Sequence, residues 1–499
     1  MVQKVFSAVL TGAKAVLVEV EAEVSNGLPT TLIVGLPDTV VQESRERIRV
    51  AFKSTSYSYP QTRVSISLAP SSLPKLGSHF DLAICLSVLL AAELVSFDPS
   101  GRLFIGELAL DGRIRGSTGI LAMVLFAKQA GFREVFIAKE NISEATLVSG
   151  LSIFAVETLS EVIAHLIGQR ILEPAKQNYS IQQTREKALV DFGEISGQEL
   201  AKRALIIAAA GGHNIRMVGS PGSGKTMLAK ALAGILPPLS ETELLETINL
   251  HSLSGTKINL SNFQRPFRSP HHTASNVAII GGGVRPKPGE VSLAHNGVLF
   301  LDELPEFPRG VLEVMRQPLE DRCVVISRAS STVAFPAKFI LVTAQNPCHC
   351  GNYGDPKLSC TCHPAEVIKY NKKISGPLLD RIDLHIQVQR LQYQEFRKLQ
   401  TSPSSDQIRQ LITATRKIQM ERFGSERTNS EMSGLEIKKY CRLGEDEEIL
   451  LEKASNTYNF SGRSINRILK VTRTIADLAG SKEIKVNHLA ESLQYRANI

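Results

Sequence analysis

At 499 residues, with 43% hydrophobic and 21% charged side chains, the chain is too long for one compact core and has the balance of a soluble protein of several domains that folds without help from its cysteines. Its longest apolar run, LAICLSVLLAAELV at 82–95, suits a buried helix and falls short of the ~20 residues that span a bilayer. The formal net charge of +8 sits unevenly, because residues 1–170 hold 15 Lys and Arg against 16 Asp and Glu, leaving 42 against 33 for the rest, so any polyanion-binding surface is expected in the later part of the chain.

The chain opens with MVQKVFSAVLTGAKAVLVEVEAEV, whose alternation predicts a strand and lacks the apolar block of a secretory leader. A cytoplasmic location without membrane association is therefore expected, where structural disulfides are rare. Strand-like and helix-like patches alternate to about residue 168, ending in TLSEVIAHLIG. Within them, GELALDGRIRGSTGILAMVLFAKQAGFREVFIAKENISEA at 106–145 resembles the proteolytic domain of Lon-type proteases. That resemblance implies an S5-like α/β fold for residues 1–168 and aligns PKLGSHFD at 74–81 with the nucleophile stretch, so that His79 takes the serine position, Ser78 lies one place out of register, and Leu121 replaces the lysine. Without a hydroxyl and an amine to activate it, Ser–Lys chemistry is absent. A proteolytically inactive platform for assembly or for facing DNA is expected.

Residues 169–197 lack sustained periodicity and read as a linker. From Gln198 a predicted helix leads to the strand NIRMV, the loop GSPGSGKT at 219–226 and the helix MLAKALAGIL. The loop fits the phosphate-binding pattern G-x-x-x-x-G-K-[ST] in the strand–loop–helix context that the pattern requires. Backbone N–H groups of Gly219, Ser220, Pro221's neighbours, Gly222, Ser223 and Gly224 curl around phosphates, Lys225 reaches the β/γ-phosphates, and Thr226 ligates Mg²⁺. Downstream, GVLFLDE at 297–303 is an apolar strand ending in two acids, Asp302 for the Mg²⁺ shell and Glu303 to polarise the attacking water. The strand FILVTAQN ends at Asn346, whose amide can orient that water, and GPLLDRIDLHIQV puts Arg381 in an expected exposed turn, where a guanidinium can stabilise γ-phosphate charge across a subunit boundary.

Two stretches between these motifs carry extra residues. RPFRSPHHTASNVAIIGGGVRPKPGEVSLAHNG at 265–297 has a glycine tip followed by Arg285 and Lys287, and CVVISRASSTVAFPAKF at 323–339 reads as a hairpin with Arg328 near its turn. Basic, glycine-rich tips can track a phosphate backbone without reading sequence. His271 and His272 read as packed or capping residues. CHCGNYGDPKLSCTC at 348–362 holds Cys348, Cys350, Cys360 and Cys362. Four thiolates satisfy a tetrahedral Zn²⁺ and leave no open position, which makes a structural staple, with His349 or His363 as possible substitutes for one ligand and reduced thiols or a redox pair as the alternatives. TSPSSD at 401–406 marks a further boundary before a mostly helical remainder.

From about residue 190 onward the chain resembles the magnesium-chelatase-like AAA+ ATPases, and over its whole length the bacterial ComM/YifB family. This resemblance implies a P-loop AAA+ core at 198–400 with a helix-2 insert, a pre-sensor-1 hairpin and the cysteine insertion, followed by a helical lid at 401–499. It implies Walker A and B sites at 219–226 and Asp302/Glu303, a sensor-1 role for Asn346, an arginine finger at Arg381, and a sensor-2 arginine in SGRSINRILKVTRTIADLAG at Arg463, with Arg467 second. It also implies a homo-oligomeric ring, hexameric, in which the insert and hairpin face the pore. ATP and Mg²⁺ are the expected cofactors and DNA, single-stranded or branched, the expected partner. The implied function is helicase or branch-migration activity in recombination during natural transformation. Two rivals remain: a chelatase motor subunit that remodels a protein partner, and a regulatory ATPase scaffold.

Overall fold

The computed structural model describes residues 4–176, 190–256, 263–283, 286–327, 332–355, 358–390 and 403–496; Arg285 and Arg328 lie outside the described residues. The chain divides into two compact units, one of residues 1–182 with 245–263, the other of residues 183–244 with 264–499. Among the described residues no helix is long and apolar enough to cross a membrane.

The first unit is built on β1 (Lys4–Thr11), β2 (Lys14–Ser25), β3 (Thr30–Val34), β4 (Arg63–Ala69), β5 (Arg102–Phe104), the short ribbon β6 (Glu107–Leu108) and β7 (Ile114–Arg115), β8 (Glu134–Ala138) and β9 (Ser152–Val156). Seven of these strands form one mixed sheet in the order β3-β4-β2-β1-β5-β8-β9. The alternation read at the start of the chain becomes the antiparallel pair β1/β2, with Thr11 opposite Lys14. The apolar run becomes the helix Asp81–Ala91, in which every residue from Asp81 to Leu90 is buried. A charged residue survives there because Asp81 is fully partnered: Ser44 donates to it, as do Arg47 Nε at 2.7 Å and the backbone N–H of Leu108 at 3.2 Å.

The residues aligned with protease chemistry are engaged otherwise. The Ser78 hydroxyl donates to Glu107, Lys75 donates to the carbonyl of Pro70, and Leu121 is buried in its helix. His79 is buried with Nε2 2.9 Å from the carbonyl oxygen of Ala8, and burial pushes its pKa down from 6.5 to about 4.

The second unit contains β10 (Ile215–Val218), β11 (Phe267–Arg268), β12 (Gly281–Gly282), β13 (Lys287–Pro288), β14 (Val298–Leu301), β15 (Cys323–Ser327), β16 (Thr332–Pro336), β17 (Ile340–Gln345) and β18 (Leu384–Gln387). Five strands form an all-parallel sheet in the order β11-β14-β17-β10-β18. As expected of a parallel sheet covered on both faces, β14 and β17 are buried along their whole length; β14 (VLFL) is an unbroken apolar run, and β17 (ILVTAQ) is apolar except for the buried Thr343 and Gln345. The hairpin predicted at 323–339 is the antiparallel pair β15/β16, and the glycine-tipped stretch holds the antiparallel pair β12/β13.

The remainder after residue 403 is helical. Helix Ser405–Phe423 starts at a Ser404–Gln407 capping box and stops at Gly424 in the left-handed conformation, and helix Gly462–Leu478 is capped by Ser461. These helices share a core with the sheet, since Ile408, Ile412, Val471 and Ile475 pack with Ile215, Met217, Val342 and Ala344. Two boundaries differ from the sequence expectation. Phe192, inside the expected linker, is buried in the same core, its backbone N–H donating to Ser405 Oγ at 2.8 Å. Residues 245–263, inside the expected ATPase core, belong to the first unit. In the first case Ile195 joins Phe192 in the core and Val190 packs against it, a set too short and irregular to show periodicity; an unbroken helical pattern hides the change of unit in the second.

The unfolded state takes up a proton on His79 from pH 6.5 downward, whereas the folded state resists it to about pH 4. His79 therefore costs stability as pH falls through this window, by up to about 3 kcal/mol. Urea unfolding followed by circular dichroism should show the parent losing stability between these pH values relative to His79→Gln, which keeps an N–H donor for Ala8 and does not titrate. Parallel pH profiles would refute this assignment.

Candidate nucleotide site and cysteine cluster

The site begins with strand register. Leu301 of β14 pairs with Thr343 of β17, and Gln345 of β17 pairs with Val218 of β10. Asp302, Asn346 and Gly219 each follow the last residue of their strands, so three functional segments leave the sheet at its carboxyl edge, where ligands bind in open α/β sheets. The phosphate loop then turns into helix Lys225–Ile235, with Gly222 and Gly224 at φ of +76° and +91°. Gly219 is required for space: a Cβ there would stand 2.2 Å from the carbonyl oxygen of Val388.

Lys225 is 8% exposed, and its ammonium donates to the carbonyl oxygens of Gly219 at 2.7 Å and Ser220 at 3.0 Å and to Asn346 Oδ1 at 3.3 Å. Burial lowers its pKa, while Asp302 and Glu303 pull in the opposite direction. Thr226 Oγ1 lies 3.2 Å from Asp302 Oδ2. That separation fits two adjacent ligands of an octahedral Mg²⁺, whose ~2.0–2.1 Å bonds put neighbouring oxygens about 3 Å apart. Ser223 Oγ is buried in the loop without a hydrogen-bond partner among the described residues.

Glu303 is 55% exposed, stands in the left-handed region at φ +50°, and its Oε2 lies 3.4 Å from His272 Nδ1. No local pattern signals this pairing, because the two residues sit on different segments of the chain. His271 meanwhile bonds Thr273 Oγ1 at 2.8 Å and stacks on His272.

Arg381 departs from expectation. It is 8% exposed rather than in an exposed turn, with Nη2 2.6 Å from Glu320 Oε1 and Nη1 donating to the carbonyl of Pro377 at 2.7 Å. Of the two sensor-2 candidates, Arg463 is exposed on the first turn of its helix. Arg467 donates to Asp383 Oδ1 at 2.5 Å and to the carbonyl of Arg381 at 3.2 Å. Lys287 is exposed on β13; its proposed companions Arg285 and Arg328 lie outside the described residues.

The cysteine segment folds back on itself. Sγ–Sγ separations are 3.3 Å for Cys348–Cys350, 3.7 Å for Cys348–Cys360 and 3.6 Å for Cys350–Cys360, and one ligand atom from each of the four, Cys362 included, lies within 4.8 Å of the others. A tetrahedron with ~2.3 Å Zn–S bonds has edges of about 3.8 Å, so the donor set fits zinc; a disulfide needs about 2.05 Å. The substitutes named from sequence lie elsewhere: His349 packs on the ring of Tyr370, and His363 caps helix Pro364–Asn371.

Comparison with known proteins bears on all of this. Residues 191–396 match the family model described as magnesium chelatase, subunit ChlI, and residues 402–496 match its C-terminal counterpart. The chain is 44% identical over 500 residues to competence protein ComM of Haemophilus influenzae, covering 99% of this chain and 97% of that protein. It belongs to the ComM/YifB family of magnesium-chelatase-like AAA+ ATPases. The uncharacterized protein YifB of Escherichia coli is 40% identical over 489 residues, covering 97% of this chain and 95% of that protein. The magnesium-chelatase 67 kDa subunit of Heliobacterium mobile is 27% identical over 183 residues, 31% of this chain and 27% of that protein. Over residues 20–141 the matching model is described as subunit ChlI of Mg-chelatase, a chelatase description rather than a protease one.

Gly219→Ala should cost about 1–3 kcal/mol of unfolding free energy, the usual penalty of forcing an atom into filled space. Gly376→Ala, where nothing lies within 4 Å of an added Cβ, is the near-neutral control. Urea titrations of both variants check this; equal stabilities would mean that the loop relaxes freely away from Val388.

Proposed function

We propose that the chain is an ATP-hydrolysing ring motor, hexameric and cytoplasmic, that acts on DNA as a helicase or branch-migration factor in recombination during natural transformation. The observation that carries the ATPase reading is the convergence of Lys225, Thr226, Asp302 and Glu303 at the carboxyl edge of the sheet, after the two parallel strands β10 and β14 that flank β17. Bound Mg²⁺ and ATP supply the cation and the anhydride. Lys225 and the loop's N–H groups hold the phosphates, Thr226 and Asp302 hold the ion, and Glu303 orients and polarises water once it leaves His272. Asn346 assists from the adjacent strand end. Arg381 serves a neighbouring subunit's nucleotide, exchanging Glu320 for γ-phosphate charge, and Arg463 responds from the lid. The first unit, with His79 and Leu121 where Ser–Lys chemistry needs other groups, is a non-proteolytic platform.

DNA as substrate is supported by the basic excess beyond residue 170, with 42 Lys and Arg against 33 Asp and Glu, and by Lys287 on the exposed side of the β12/β13 hairpin. The similarity to a chelatase subunit over 31% of the chain favours a second reading, a motor that remodels a protein partner.

Lys225→Ala should abolish nucleotide binding, and Glu303→Gln should retain ATP while hydrolysing it about a hundredfold or more slowly, within the range of general acid–base contributions. Comparable turnover by Glu303→Gln and parent would remove Glu303 from its role. Replacing Arg285, Lys287 and Arg328 together with Ala should weaken DNA binding, flatten its salt dependence and lower DNA-stimulated hydrolysis on single-stranded and forked DNA, while ATP binding survives. Unchanged DNA binding and unwinding across a salt series would defeat the pore assignment; hydrolysis stimulated only by a protein partner would support the second reading.

A further inference from the structure

We infer that Cys348, Cys350, Cys360 and Cys362 form a zinc site whose occupancy sets the affinity of the phosphate loop for nucleotide. The inference rests on the nucleotide-binding reading of residues 219–226 and extends it to what holds that loop in shape.

The geometry ties the two segments at three points. First, Cys348 follows Asn346 by two residues, and Asn346 Oδ1 accepts from the Lys225 ammonium at 3.3 Å. Second, Gly351, inside the cysteine segment, presses on Pro221 of the phosphate loop so closely that a Cβ would stand 2.5 Å from Pro221 Cδ, at a φ of +82° that itself favours glycine. Third, Ser220 Oγ donates to Asp355 Oδ2 at 2.9 Å, and Asp355 Oδ1 accepts from the backbone N–H of Leu358 at 3.2 Å. Ser220 and Pro221 are the two residues that follow Gly219, so the cysteine segment touches the first half of the phosphate loop.

The segment has little else to hold it. It contains no helix or strand among the described residues, and its anchorage in the fold is the fully buried Cys348 with the neighbouring His349 on the ring of Tyr370. A closed four-sulfur site joins its two ends, because Cys348 and Cys350 precede Gly351 and Asp355 while Cys360 and Cys362 follow them. Zinc bound there fixes Gly351 and Asp355 against Ser220 and Pro221. Losing the ion frees both ends, and the phosphate loop then pays the ordering entropy itself when nucleotide binds. The stabilising effect on binding is thus one of preorganisation, and the cysteines never touch the nucleotide.

Full-length parent protein should carry about one zinc per chain by plasma mass spectrometry. The double variant Cys360→Ser/Cys362→Ser should lose the metal and bind Mg·ADP more weakly by about tenfold or more. Asp355→Ala should keep the zinc and still weaken Mg·ADP about tenfold, the loss expected from one charge-assisted hydrogen bond; it tests the clamp even if the cysteine variant fails to fold. Calorimetric titration with Mg·ADP reads affinity without hydrolysis. Metal-free parent protein would overturn the zinc site. Zinc-loaded parent and Asp355→Ala with equal affinities would overturn the clamp. Zinc-loaded parent that binds no ADP at all would overturn the nucleotide reading and the clamp with it, while the metal site would stand.

Discussion

The site depends on parallel pairing in one register. Because Leu301 opposes Thr343 and Gln345 opposes Val218, the residues that follow β14, β17 and β10 emerge together at one edge of the sheet. A slip of one residue would exchange the two buried faces of β14, sending Val298 and Phe300 into the layer that Leu299 and Leu301 fill and the reverse. Register is therefore held by the same apolar burial that holds the fold, and the chemistry inherits its alignment from the core. Asp302, Asn346 and Lys225 need no long-range ties of their own, since Val298, Phe300, Val342 and Met217 already provide them.

Electrostatics then balances what packing has brought together. An ammonium at 8% exposure is costly, and burial lowers the Lys225 pKa accordingly, but two carboxylates nearby and three oxygen acceptors keep the charged form in place. Glu303 is the exposed member of the pair, held at 3.4 Å by His272 rather than by Lys225. The arrangement gives the two charges different settings, a buried lysine fixed by three acceptors and an exposed carboxylate with one neighbour, which suits the separate roles proposed for them.

How much of this was legible in the sequence follows from which contacts are local. The phosphate loop and the acids after β14 were readable because each is a contiguous motif at a strand end, where backbone geometry alone decides what the side chain can reach. The cysteine pairs were readable from composition, since thiols are scarce elsewhere in the chain. Arg381 was misread as exposed because its partner Glu320 lies on a distant helix, and no periodicity near Arg381 reports it. The same holds for His272 on Glu303 and for Asp355 on Ser220, pairs of loop residues that only the assembled sheet brings together. Phe192 shows the opposite limit, where three spaced apolar residues, Val190, Phe192 and Ile195, draw the end of an expected linker into the core.

Asp383 explains how the helical segment joins this scheme. Burial alone would raise its pKa, yet Arg467 and His213 hold it well below the ordinary carboxylate range, and the backbone N–H of Asn214 donates to it at 3.2 Å. Arg496 adds a bond to the carbonyl of Ile382 at 2.7 Å and another to Ser464 Oγ at 2.7 Å. The turn that carries Arg381 is thus fixed from two sides, by the start of β10 through Asn214 and by helices near the C-terminus through Arg467 and Arg496. A buried ion pair of this kind is strongly destabilising to break by removing one partner. Any tilt of helix Gly462–Leu478 must therefore carry the 381–383 turn with it or abandon the Asp383 pairing. The coupling between the helical segment and Arg381 therefore runs through the Asp383 carboxylate together with the bonds from Arg467 to the carbonyl of Arg381 and from Arg496 to the carbonyl of Ile382.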